Sequence, residues 1–165
     1  HPKNHLKLWV TFAGYDPDIK VWTSNDGGNT WSSYASGTGN LQYLAINGIV
    51  YQEGTDDRLY IATDRGVFVR DSTMSDWEKY GDMPNVRVME LKINPCENKI
   101  KAATFGRGLF EAELLESNGV DQERVISSNT TYTNKGLVQN LRITNNSTLT
   151  ITGTLRMPAN GKIIV

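Results

Sequence analysis

The sequence predicts an all-β chain, on three observations: a repeat with a period in the low forties, short β-rich runs bounded by turn residues, and no sustained apolar recurrence at helical spacing. The stretch Val21-Trp22-Thr23-Ser24-Asn25-Asp26-Gly27-Gly28-Asn29-Thr30-Trp31 aligns with Val67 to Trp77, 46 residues further on. Leu59 to Phe68 aligns in turn with Lys101 to Phe110, 42 residues on at Gly66 and Gly108, with one residue inserted. A period of this size, with about four short strands per unit, is the spacing of a β-propeller blade.

The elements follow in chain order. Strands are expected over Leu8 to Phe12, Ile19 to Thr23, Arg58 to Ala62, Val67 to Arg70, Arg87 to Ile93, Lys99 to Ala103 and Leu109 to Leu114. These runs are rich in Val, Ile, Leu and aromatic residues, and Gly, Asp, Asn or Pro bounds most of them. Residues 1–115 thus make about two and a half blades, too few to close a ring, since four blades are about the smallest that does. Remaining blades are expected from the same parent polypeptide or from neighbouring subunits.

Residues 116–124 are polar and read as a linker. In residues 125–165 aromatics nearly vanish, and apolar pairs recur at Leu141/Ile143, Leu149/Ile151, Leu155/Met157 and Ile163/Val165. Each pair would occupy one short strand of a β-helix-like stack, with Asn145-Asn146, Gly153 and Asn160-Gly161 at the corners. The pattern stops at Val165 without the polar cap that a strand stack needs, which predicts a piece of a longer protein.

Composition excludes several classes. Seventeen Lys and Arg stand against 18 Asp and Glu, so the basic excess of a nucleic-acid binder is missing. No apolar run approaches the about 18 residues of a membrane-spanning helix. Cys96 is the only cysteine, so no intrachain disulfide can form, and it reads as a small residue in the turn Asn94-Pro95-Cys96. His1 and His5 have no Cys or carboxylate at ligand spacing. No metal or other cofactor is implied.

The most informative motif is Ser24-Asn25-Asp26-Gly27-Gly28-Asn29-Thr30-Trp31. It resembles the Asp box, S-x-D-x-G-x-T-W, of the BNR or sialidase-like repeat, which is shared by sialidases, the xyloglucanase-type propellers of glycoside hydrolase family 74 and sortilin-type receptor propellers. Ala103 to Phe110 is similar to the final blade of bacterial Asp-box propellers, and the later Leu149-Thr150-Ile151-Thr152-Gly153 resembles C-terminal segments of large secreted Bacteroidota proteins. The resemblance implies a structural box. Asp26 would accept turn N–H groups, Gly28 would supply an unusual backbone conformation, and Trp31 would bury its ring under the hairpin. The copy at Arg70 to Trp77 keeps only the tryptophan, with Ser72, Met74 and Asp76 where the box has Asp, Gly and Thr.

The resemblance also implies that ligands sit at the turns opposite the Asp box. Here these hold Tyr15, Asp16 and Asp18, then Asp64 and Arg65, then Phe105 and Arg107. Arg and Tyr suit sugars through bidentate hydrogen bonds and ring stacking, while the bland role for Arg65 and Arg107 is pairing with neighbouring carboxylates or carbonyls. Glycoside cleavage needs two carboxyl groups at defined separation. Asp16, Asp18 and Asp64 are on hand, but turns commonly use Asp for themselves, and no catalytic set emerges. Asp71-Ser72-Thr73 resembles a Bacteroidota O-glycosylation motif centred on Ser72, and N-glycosylation sequons fall at Asn129, Asn145 and Asn146. The expected function is a non-catalytic binding or display module of a large secreted or cell-surface bacterial protein, glycan-binding or adhesive. The alternatives are the C-terminal part of a propeller glycoside hydrolase with its catalytic residues upstream, or a structural subunit of an extracellular assembly.

Overall fold

The computed structural model describes residues 1–35, 39–115, 123–136, 140–156 and 163–165. Every regular element among them is a β-strand, so no helix there is long and apolar enough to cross a membrane. The chain divides into two compact units. One comprises His1–Gln52, Asp57–Lys92 and Lys101–Glu111, and the other Glu53–Asp56, Ile93–Ile100 and Ala112–Val165.

The first sheet is an antiparallel meander of β1 (Leu8–Thr11), β2 (Val21–Ser24) and β3 (Ser32–Ser33). The second is a four-stranded meander of β4 (Ile46–Tyr51), β5 (Leu59–Thr63), β6 (Gly66–Arg70) and β7 (Glu78–Tyr80). The third runs β8 (Val88–Asn94), β9 (Lys99–Thr104) and β10 (Leu109–Glu113). None of these sheets closes into a barrel. All seven expected strands form, and β3, β4 and β7 are additional. β3 and β7 escape the pattern because exposed Ser32, Ser33, Glu78 and Lys79 carry no apolar alternation. β4 escapes it because Asn47-Gly48 reads as a chain-breaker, whereas a shift of register between Ile46 and Gly48 marks a bulge there.

The inserted residue of the repeat lies in a turn. Thr63 pairs with Gly66 across a two-residue turn, where its hydroxyl donates to Gly66 O at 2.9 Å and accepts from Arg65 N at 3.0 Å. Thr104 repeats the lock one residue wider, its hydroxyl donating to Gly108 O at 2.6 Å. Both glycines adopt positive φ, +106° and +74°, which a side chain would oppose. Thr104, rather than Phe105, is therefore the counterpart of Thr63.

The core of the first unit is an apolar layer between the first and second sheets, built from Val21, Leu44, Ile46, Leu59, Ile61, Phe68 and Trp77, with Trp9 packed against it. β5 is buried along its whole length because apolar layers cover both of its faces. Trp77 is fully buried, meets Tyr34 edge-on at 6.2 Å between centroids, and donates its indole N–H to Tyr34 O at 2.9 Å. Arg70 lies over the Tyr34 ring at 4.3 Å and donates to the same carbonyl. Lys20 is 1% exposed, and its ammonium donates to Gly14 O and Leu44 O.

In the second unit, pairing turns parallel. β11 (Glu123–Ile126) pairs with β13 (Asn140–Ile143), which pairs with β15 (Ile163–Ile164), while β12 (Thr130–Gly136) pairs with β14 (Leu149–Arg156). Successive strands alternate between two parallel sheets. This corrects the expectation of one strand per apolar pair, because Leu149, Ile151 and Leu155 all belong to β14 and Gly153 lies inside it rather than at a corner. Met157 and Asn160-Gly161 lie outside the described residues, as do residues 116–122 of the expected linker, whose last two residues, Glu123 and Arg124, belong to β11. Asn145 and Asn146 do take a corner, with φ of +55° and +53°, and Asn129 Oδ1 accepts Thr148 N at 2.9 Å across to the next strand pair. Ile126 and Leu141 are buried together, with Ile143 and Leu149 against them.

The layer predicts unequal tryptophans. Trp77→Ala should lower stability by about 3–5 kcal/mol through the cavity and the lost indole bond, whereas Trp31→Ala, at 39% exposure, should cost no more than about half as much. Urea unfolding of the two variants measures this, and equal losses would contradict the assignment.

Candidate functional site

Two polar constructions stand out, the Ser24 to Trp31 turn and a cluster around Asp64. In the turn, Asp26 Oδ1 accepts the Ser24 hydroxyl at 2.8 Å and Thr30 N at 2.9 Å, while Oδ2 accepts the Thr30 hydroxyl at 2.5 Å. Asp26 thus accepts a turn N–H as expected, and Ser24 Oγ accepts a second, Gly28 N, at 2.9 Å. Gly27 and Gly28 have φ of +75° and +94°, the backbone that closes so tight a loop. Hydrogen bonds from the Thr30 hydroxyl, Thr30 N–H and Ser24 hydroxyl hold the Asp26 carboxyl down at about 2. Both of its oxygens serve the loop.

Trp31 departs from expectation. Its ring lies 3.6 Å from where a Gly28 Cβ would be, its N–H returns to Gly28 O at 3.0 Å, and it is 39% exposed rather than buried beneath the hairpin. The buried tryptophan belongs to the degenerate copy. There Asp71, one position before Ser72, accepts Thr73 N at 3.0 Å and the Thr73 hydroxyl at 2.7 Å through one oxygen. Its other oxygen accepts Arg58 Nη2 at 2.9 Å, in a pair whose side chains are 3% and 2% exposed. Burial alone would raise the Asp71 carboxyl, but Thr73 and Arg58 hold it below its ordinary value. The second turn thus keeps an aspartate lock through a shifted residue and a buried ion pair. Ser72 itself is exposed.

The Asp64 cluster lies within the first unit and draws on residues from three sheets. Asp64 comes from the β5–β6 turn, Tyr15 from the β1–β2 loop, Asn47 from the β4 bulge and Arg87 from the residue before β8. Arg87 Nε donates to Asp64 Oδ1 at 2.7 Å, and the Tyr15 hydroxyl donates to Oδ2 at 2.7 Å. Arg87 Nη2 lies 3.4 Å from both Oδ2 and the Tyr15 oxygen. Asn47 Nδ2 reaches Oδ1 at 3.4 Å and also donates to Val88 O at 2.9 Å. Burial opposes ionisation of Asp64, yet bonds from Arg87, Tyr15 and Asn47 and the arginine charge keep its carboxyl below the ordinary value. The Tyr15 hydroxyl is correspondingly raised, chiefly by its bond to Asp64.

Of the other expected residues, Phe105 adjoins this cluster through its backbone. Phe105 is 73% exposed, and its N–H donates to Arg87 O at 2.9 Å. Arg65 and Arg107 are exposed, and neither guanidinium forms a hydrogen bond or ion pair among the described residues. Asp16 Oδ1 accepts Asp18 N at 2.9 Å, an Asx turn, and neither aspartate bonds to the Asp64 cluster. Sequence reading missed Arg87 and Asn47. Arg87 is 23 residues from Asp64 and carries no local signal, whereas the Asn47-Gly48 dipeptide could have been read as a bulge. No group of three or more His, Cys, Asp or Glu among the described residues is arranged to hold a metal ion.

The Asp26 geometry fixes a pH dependence. Its folded-state carboxyl lies near 2 against an ordinary value of 3.8, so its stabilising contribution is complete above the ordinary value and disappears as the pH falls through that interval. Asp26→Asn should therefore melt below wild type near neutral pH, with the difference shrinking as the pH falls to about 2. Thermal melts across that range check it, and a gap independent of pH would show that the charge is immaterial. No known protein-family model matches this chain, and no curated protein matches it.

Proposed function

We propose that this chain is a non-catalytic binding or display module, built from Asp-box propeller blades, of a secreted or cell-surface bacterial protein, and that its ligand is a polysaccharide. The observation carrying this reading is the junction of Tyr15, Asp64 and Arg87 from three successive sheets, adjoined by the exposed Phe105, with Arg65 and Arg107 exposed on the same turns and without a guanidinium partner among the described residues. A cross-sheet network of this kind fixes the relative positions of the turns. Ring and guanidinium groups then face solvent at turns held in place before a ligand arrives, which lowers the ordering cost of binding.

The same geometry favours binding over bond cleavage. A glycosidase needs one carboxyl held protonated as an acid and a second at about 5–9.5 Å. Asp64 is instead held ionised by three donors, and Asp16 is engaged in its own turn. The four-stranded meander β4–β7 and the repeated Thr–Gly hairpins support blade architecture, and the parallel pairing of β11 to β15 supports a strand stack after it. Ser72, exposed in its turn, suits addition of a sugar.

A glycan array probed with the complete protein, and repeated with Arg65→Ala/Arg107→Ala and with Phe105→Ala, tests the site. Each variant should lose about tenfold or more in affinity, roughly 1.4 kcal/mol, with melting unchanged because the groups removed are exposed and the guanidiniums unpaired. Undiminished binding by both variants would locate the ligand elsewhere.

A further inference from the structure

The face of the first sheet turned away from the apolar layer is itself apolar. Alternation along β1 and its register with β2 place Leu8, Val10 and Trp22 on that face, and Trp9, Thr11, Val21 and Thr23 on the face toward the second sheet. Phe12, whose N–H donates to Lys20 O, extends the outer face by one residue. Val10 is 39% exposed and Phe12 40%. Leu6 and Trp31 continue the patch around the Ser24 to Trp31 turn, since a Cβ on Gly27 would meet Leu6 and one on Gly28 would meet Leu8 and Trp31.

The repeat indicates what covers such a face. Cross-strand pairing equates Leu8, Val10 and Trp22 with Leu59, Ile61 and Phe68. In the first sheet Leu8 pairs with Ser24 and Val10 with Trp22, and in the second Leu59 pairs with Arg70 and Ile61 with Phe68. Leu59 and Ile61 are 1% and 0% exposed because Trp9 and Val21, on the sheet that precedes them in the chain, pack onto them. We infer that the Leu8–Val10–Phe12–Trp22 face is a docking surface for another sheet of the same repeat, lying N-terminal to it in the same polypeptide. A second copy of this chain could offer this same outer face, but not the Val21 face that covers the equivalent residues in the repeat, because that face is already packed against the second sheet.

The test is photo-cross-linking in the polypeptide as its native cell produces it. Trp22→benzoylphenylalanine reads the outer face, and Trp9→benzoylphenylalanine serves as a fold control that should cross-link to β4. Phe12→benzoylphenylalanine reads the same outer face, so a misfolded Trp22 variant does not remove the test. The expected adduct joins the outer-face probe to a strand-forming segment preceding residue 1 in the same polypeptide. With the control intact, an adduct to a second copy, an adduct to a different protein, or none at all would overturn the inference.

Discussion

Between the first sheet and the second lies an apolar layer in which Val21, Ile46, Ile61, Phe68 and Trp77 bury their side chains against one another. Hydrophobic contact of this kind is non-directional, so it holds the sheets together without fixing how they slide. Directional bonds supply the alignment. Trp77 and Arg70 both donate to Tyr34 O, and the Lys20 ammonium bridges Gly14 O and Leu44 O. A buried lysine is tolerable only because carbonyl oxygens meet it, and burial accordingly lowers its pKa.

The turns divide into two kinds of construction. In the Ser24 to Trp31 loop the side-chain bonds of Ser24, Asp26 and Thr30 lie within eight consecutive residues, and the Gly27 N–H ties the loop to Leu6 O at 2.8 Å. The turns bearing Tyr15, Asp64 and Phe105 depend on the packing, because Arg87 and Asn47 reach them from other strands. That dependence couples turn geometry to the apolar layer. A change that shifts one sheet against another alters the spacing of the exposed groups.

Charge distribution follows the same division. Asp26 spends its charge inside its loop, and Asp64 is neutralised by Arg87, so neither carboxylate offers a free acceptor to a ligand. Arg65, Arg107 and the Phe105 ring are exposed, and among the described residues neither guanidinium has a bonded partner. Such a surface can hold hydroxyl or carboxylate groups by hydrogen bonds and sugar faces by stacking.

The sequence by itself determined the all-β class, the seven apolar strands and the Asp26 loop, because each rests on local chemistry: alternation, turn residues, and side chains reaching a few positions along the chain. It also identified Asn145-Asn146 as a corner, since asparagine tolerates the left-handed backbone there. Only the tertiary structure decided which tryptophan is buried, because Trp31 and Trp77 occupy equivalent positions and differ in what packs above them. It alone brought Arg87 to Asp64 and paired β11, β13 and β15 in parallel, since those partners lie far apart in sequence. The exposed outer strands β3 and β7 were invisible for the same reason. Their backbone is held by a neighbouring strand, and their side chains, facing water, carry no pattern.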